Sequence, residues 1–333
     1  MKSFDLEEER LGQEISKLGV KRVLLQLPEG LKPEAPRLAR IVEQAGALPI
    51  ISADPCYGAC DLAVEEAELL GADLMVHFGH ARLIKRARIL TLYIEAKATV
   101  AVDKAVQLAL PLLNDYASIG LVTTVQHSEK LDETKELLTE AGKKVLVGDS
   151  GQLAFPGQVI GCNYSNATSI ADDVDAFLFV GGGLFHALGV ALSTSKPTVI
   201  ADPYDNRAFQ VNDEAQKILK QRWATIRKAK DAEEFGILVS LKPVQNRFND
   251  ALRIKATAEE HGKAAYLLIA REITPEMLLE FPTIDAYVNT ACPRISLDAP
   301  AKFSKPVLTS NEFTVVIGER SWESLLKKGL FEN

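Results

Sequence analysis

Short, unbroken apolar runs recur along the chain, separated by stretches in which apolar positions return every three or four residues. The runs predict strands and the intervening stretches predict amphipathic helices, and together they fall into three similar units. In the first, strands are predicted at Lys21–Gln26, Leu48–Ser52, Asp73–His77 and Leu90–Glu95, with helices near Pro36–Ala45, Leu62–Leu70 and Val102–Asn114. The second unit has strands Ser118–Thr123, Lys144–Gly148, Ala176–Val180 and Thr198–Ala201, with helices Ser128–Ala141, Ala167–Asp172 and Asp213–Ala229. The third has strands Phe235–Ser240, Ala264–Ile269, Ala286–Asn289 and Val307–Thr309, with helices Asn246–His261, Thr274–Glu280 and Trp322–Leu330. Continuous apolar runs, in place of alternating ones, mark parallel strands buried on both faces. An α/β fold follows, built from three modules of about 100 residues with four strands each, as a repeated sequence unit implies. The units divide at 1–115, 116–230 and 231–333 and are expected to be arranged about a pseudo-threefold axis.

Length supports two or three cores, since 333 residues exceed what one small core organises. Apolar content of 47% and charged content of 25% are those of a globular protein. The net charge of −7 argues against a nucleic-acid binder that depends on a basic surface. The start reads as an acidic amphipathic helix and not as a signal peptide, and no apolar run reaches the length of a membrane span. A cytoplasmic protein is expected. Structural disulfides are rare there, which turns attention to metal or redox chemistry at the four cysteines.

Cys56 and Cys60 share the loop DPCYGACDLA, where proline and glycine break regular structure. Cys60 and Cys162 each follow the second strand of their unit, and Cys292 follows the third strand of the last. Ligands in open parallel sheets bind beyond the carboxyl ends of the strands. One cysteine per unit is therefore available to a shared site, with Cys56 as the odd one out. A shift of register from Cys60 to Cys56 remains open within that loop. Three thiolates suit zinc, with histidine as a further ligand, or an iron–sulfur cluster with one iron left open. His77, His80, His127 and His186 all fall at or just after predicted strand ends, as in a polar cleft.

The stretches LLQLPEGLK, DPCYGACDLA, HFGHARL, GQVIGCN, GGGLFHALG, ADPY and NTACPRISLD occur in this order. Together they resemble the archaeal diphthamide synthase, or 2-(3-amino-3-carboxypropyl)histidine synthase, family. The resemblance implies three homologous domains around a central [4Fe–4S] cluster held by Cys60, Cys162 and Cys292. It further implies S-adenosylmethionine as co-substrate, cleaved at the Cγ–S bond by radical chemistry. The 3-amino-3-carboxypropyl group then passes to a histidine imidazole of translation elongation factor 2, the first step of diphthamide biosynthesis. An electron donor of unspecified identity and a homodimer are expected from the same resemblance.

Weaker candidates for substrate contacts come from single motifs. Gly182 and Gly183 stand in a glycine run before a possible helix and offer backbone N–H groups, beside His186. His80 follows a strand. Arg294 is placed to clamp a carboxylate or to pair with Asp298, and Asp202 ends a strand as a candidate to reach the adenosine. The charged helices Ser128–Lys144 and Asp213–Lys230 read as solvated faces. Two other functions compete: a zinc-dependent hydrolase or lyase with Cys/His ligands, and a non-catalytic scaffold subunit.

Overall fold

A computed structural model describes residues 4–84, 87–298 and 300–330. Its strands, in chain order, are β1 (Phe4–Asp5), β2 (Arg22–Gln26), β3 (Leu48–Ile51), β4 (Leu74–Phe78), β5 (Thr91–Ile94), β6 (Lys97–Ala98), β7 (Ser118–Thr123) and β8 (Lys144–Leu146). They continue with β9 (Ala176–Val180), β10 (Thr198–Asp202), β11 (Arg207–Gln210), β12 (Glu234–Ser240), β13 (Ala264–Ala270), β14 (Ala286–Asn289) and β15 (Val307–Thr309). Three sheets result, ordered β3-β2-β4-β5, β8-β7-β9-β10-β11 and β13-β12-β14-β15. All neighbours in them are parallel except β11, which pairs antiparallel to β10. A small antiparallel pair joins β1 to β6.

Each sheet thus runs second, first, third, fourth in the order of its own strands. The order reverses between the first and third, and a crevice opens there beyond the carboxyl ends. The amino ends share a different device. Asp73, the residue before β4, accepts the backbone N–H groups of Lys21 and Arg22 at 2.8 and 2.9 Å. Asp175 does the same for Ala117 and Ser118, and Asp285 for Glu233 and Glu234. These bonds to backbone N–H groups lower all three carboxyl pKa values. The three sheets are tied at one edge by the same chemistry and left open at the other.

Apolar runs settle into the inner strands of each sheet because both faces are covered there. Val23, Leu25 and Val76 of the first sheet pack with Leu38 and Val42 of the helix Ala35–Gln44. In the second sheet Phe177 and Phe179 meet Ala187, Val190 and Ala191 of the helix Leu184–Thr194. That helix lies against Tyr164, and a Cβ on Gly189 would come within 1.9 Å of its hydroxyl, so only glycine fits.

The structure departs from the sequence pattern at several places. The second sheet has a fifth strand, β11, too short and polar to show as an apolar run. The possible helix after the glycine run is formed over Leu184–Thr194, while Arg294–Leu297 and Ser310–Val316 go beyond the elements predicted. The charged helix Asn212–Ala229 is not solvated all round, since Arg222 is 1% exposed. Its guanidinium grips both carboxylate oxygens of Glu312, itself fully buried, and donates to the carbonyls of Ser296 and Val307.

Candidate functional site

Three loops beyond carboxyl ends, one per sheet, line a common cavity of about 200 Å³ with Cys60, Cys162 and Cys292 in its wall. Each loop is fixed by its own hydrogen bonds. Around Cys60 the amide of Gln26, at the end of β2, donates to the carbonyl of Asp61 at 2.6 Å and accepts from the N–H of Ala63 at 3.2 Å. From the third sheet, the N–H of Val244 donates to the Cys60 carbonyl at 3.3 Å, and the Gln245 amide donates to Cys60 Sγ at 3.3 Å. The buried ammonium of Lys242 binds Asp61 at 3.0 Å and Glu272 at 2.7 Å and lies over the Tyr57 ring.

Cys162 stands at the tip of a two-residue turn closed by reciprocal backbone bonds between Ile160 and Asn163, each 3.1 Å. Gly161 is required beside it, because a Cβ there would meet the Phe185 ring at 2.8 Å. Cys292 is held by the buried Asn289, which donates to the Cys292 carbonyl at 2.8 Å and to Ser296 Oγ at 3.1 Å while accepting from the N–H of Ala291.

The electrostatics describe thiols crowded together in a poorly solvated space. Burial pushes Cys162 up to about 12 and Cys292 up to about 11, and neighbouring thiols push both the same way. Burial also raises Cys60, while the hydrogen bond from Gln245 opposes it. Among the described residues lining the cavity there is no carboxylate. A donor set of three thiols without a hard oxygen ligand suits zinc or an iron–sulfur cluster, whose positive metal ions would draw off the thiol protons. The thiols of Cys60, Cys162 and Cys292 on one cavity wall therefore fit a sulfur-ligated group.

His80, His186 and Arg294 line the same cavity. Burial lowers both histidines to about 4. Arg294 binds Asp298 through Nε and Nη2 at 2.7 and 2.6 Å and stacks over Phe185 at 4.2 Å, so the structural pairing is formed while the guanidinium still borders the cavity. Gly182, Gly183 and Asp202 do not line it. They sit in a neighbouring cluster where Tyr204 lies over Gly182, its hydroxyl 3.1 Å from His127, and Asp202 binds Arg207.

The sequence reading placed His77 among the histidines of a polar cleft but passed over Gln26, Lys242 and Gln245 as site residues. Only the polar Gln26 and His77 ending apolar strands carried a signal. Cys56 is buried, with its Sγ within 4.8 Å of ring nitrogens of His77 and His80.

A family model described as "Putative diphthamide synthesis protein" matches residues 27–326. The 2-(3-amino-3-carboxypropyl)histidine synthase of Pyrococcus horikoshii is 37% identical, over 95% of this chain and 91% of that protein. Subunit 1 of the corresponding synthase from Gallus gallus is 30% identical, over 93% of this chain and 76% of that one. Among solved structures, Dph2 from Pyrococcus horikoshii with a 4Fe-4S cluster matches with a TM-score of 0.88 and 36% identity, covering 95% of this chain and 92% of that one.

Proposed function

Because the chain belongs to the diphthamide synthesis family, we propose that it moves the 3-amino-3-carboxypropyl group of S-adenosylmethionine onto a histidine imidazole of translation elongation factor 2. The chain is a 2-(3-amino-3-carboxypropyl)histidine synthase, a transferase of the first step of diphthamide synthesis. The observation that carries the finer reading is the shared cavity lined by one cysteine loop from each of three sheets. Held by Cys60, Cys162 and Cys292, a [4Fe–4S] cluster would supply the single electron that breaks the Cγ–S bond.

The protein's own residues then position and exclude. Gln245 aims an N–H at Cys60 Sγ, Asn289 and the turn at Gly161 fix the other two thiols, and Phe185 and Ala59 supply apolar wall. Arg294 keeps Nη1 without a partner among the described residues, available to the methionine carboxylate of the co-substrate. Rigid strand ends hold such a geometry better than long connections, and a misplacement of about 1 Å can cost on the order of a hundredfold in rate.

The test is anaerobic reconstitution followed by reduction with S-adenosylmethionine. Near one four-iron cluster per chain and methylthioadenosine as the main nucleoside are expected. Zinc in place of iron, or 5′-deoxyadenosine as the main product, overturns this reading. Cys60→Ala, Cys162→Ala and Cys292→Ala should each lose the cluster and Cys56→Ala should retain it.

A further inference from the structure

His80 is reached through a chain of hydrogen bonds that sets its tautomer. The Gln26 amide is oriented by two backbone partners: its Nε2 donates to the Asp61 carbonyl and its Oε1 accepts from the Ala63 N–H. Oε1 therefore also accepts from His77 Nδ1, at 2.9 Å. With the proton on Nδ1, His77 Nε2 is an acceptor, and it lies 3.1 Å from His80 Nδ1. His80 must then carry its proton on Nδ1 and leave Nε2 as a bare lone pair. His77 is fully buried and His80 lines the cavity shared by the three cysteines. The His80 ring also hydrogen-bonds the Phe78 backbone, a contact that favours its charged form.

The transfer itself requires an acceptor of this kind. The C–S bond pair stays with sulfur, which turns the sulfonium into a neutral thioether. At the imidazole a new C–C bond replaces the C2–H bond, and one proton leaves. No net electron is consumed, because any electron lent to the sulfonium must return before the ring is aromatic again. The proton at a tetrahedral C2 is strongly acidic for that reason, so a neutral imidazole of low basicity is sufficient to take it.

Resting on the transferase reading above, we propose that His80 Nε2 is the proton acceptor of the transfer, with His77 and Gln26 as positioning residues that set its tautomer. His186 is the other imidazole on the wall, but Arg294 opposes its protonation, whereas the hydrogen bond to the Phe78 backbone and then Glu29 favour a charged His80. Burial holds His77 well below the usual histidine range, so it stays neutral and keeps its acceptor nitrogen.

Two measurements test the assignment. In the protein without its cluster, nitrogen NMR of labelled histidine should show His80 protonated on Nδ1, and Gln26→Leu should release that preference. His80 protonated on Nε2 in the unaltered protein overturns the proposal. With the reconstituted enzyme and elongation factor 2, His80→Gln should lower modified histidine per methylthioadenosine released at least tenfold. It should also unmask a deuterium isotope effect at imidazole C2, which a merely structural role would not produce. A ratio equal to that of the unaltered enzyme refutes the role of His80 and leaves the function standing. No methylthioadenosine from the unaltered enzyme overturns the function, and the inference with it.

Discussion

Replacing Arg222 by methionine should destabilise the junction between the second and third sheets far more than a change on a charged helix ordinarily does. Arg222 is 1% exposed and Glu312 0%. The guanidinium binds Glu312 at both oxygens and the carbonyls of Ser296 and Val307 at 2.7 and 2.8 Å. Without it, the Glu312 carboxylate keeps, among the described residues, only the Thr309 N–H that it caps. Removing one partner of a buried pair strands the other charge, a loss of about 3–5 kcal/mol. At a urea slope of about 2 kcal/mol/M, the midpoint falls by about 1.5–2.5 M. The assay is built in, because the chain's two tryptophans, Trp223 and Trp322, lie 5.5 Å apart beside this pair. Urea unfolding followed by their fluorescence reads the junction directly. Arg222→Met/Glu312→Leu should recover part of the loss, since it leaves no orphaned charge. The Cys292 thiol should also become easier to alkylate in the single variant, because Ser296 is bonded to the Asn289 side chain that holds the Cys292 loop. A midpoint within about 0.5 M of the unaltered protein, or a double variant no better than the single, refutes the reasoning.

Gln245→Leu removes the N–H donated to Cys60 Sγ and should make the potential of the reconstituted cluster more negative, read by a redox titration with EPR detection. Gly189→Ala drives a methyl into Tyr164 and should destabilise by about 3 kcal/mol or more, measured by the same urea unfolding. The lowered carboxyls of Asp73, Asp175 and Asp285 contribute stability that is complete above the ordinary aspartate pKa near 4 and is lost as the pH falls through their lower folded values. Asparagine at all three positions should flatten the acid limb of a stability-versus-pH curve, and an unchanged limb counts against the device.

The strands and their direction were legible in the sequence because a doubly covered parallel strand must be apolar throughout. KRVLLQ, SIGLVT, AFLFV and AYVN needed no tertiary information to be recognised. Edge and antiparallel pieces such as β11 were not, because an exposed face permits polar residues and erases the pattern. Leu184–Thr194, after the glycine run, was legible only as a possible helix, and Arg294–Leu297, after a cysteine loop, was hidden, for a related reason. The first is apolar nearly all round and the second is a single turn.

By itself, the sequence determined that three α/β units each carry a cysteine beyond a strand end, since motif order and apolar runs are properties of the chain. Tertiary structure alone decided which polar side chains those cysteines meet. Gln245 reaches Cys60 from 185 residues away, Lys242 bridges Asp61 to Glu272, and Gln26 orients His77 across 51 residues. It likewise separated Gly182, Gly183 and Asp202 from the cavity that His80, His186 and Arg294 share. The physical reason is the same in each case. Burial of apolar runs is written locally in the residue pattern. A hydrogen bond between distant polar groups depends on the sheet order and the loop closures that bring them within reach, and no local pattern records it.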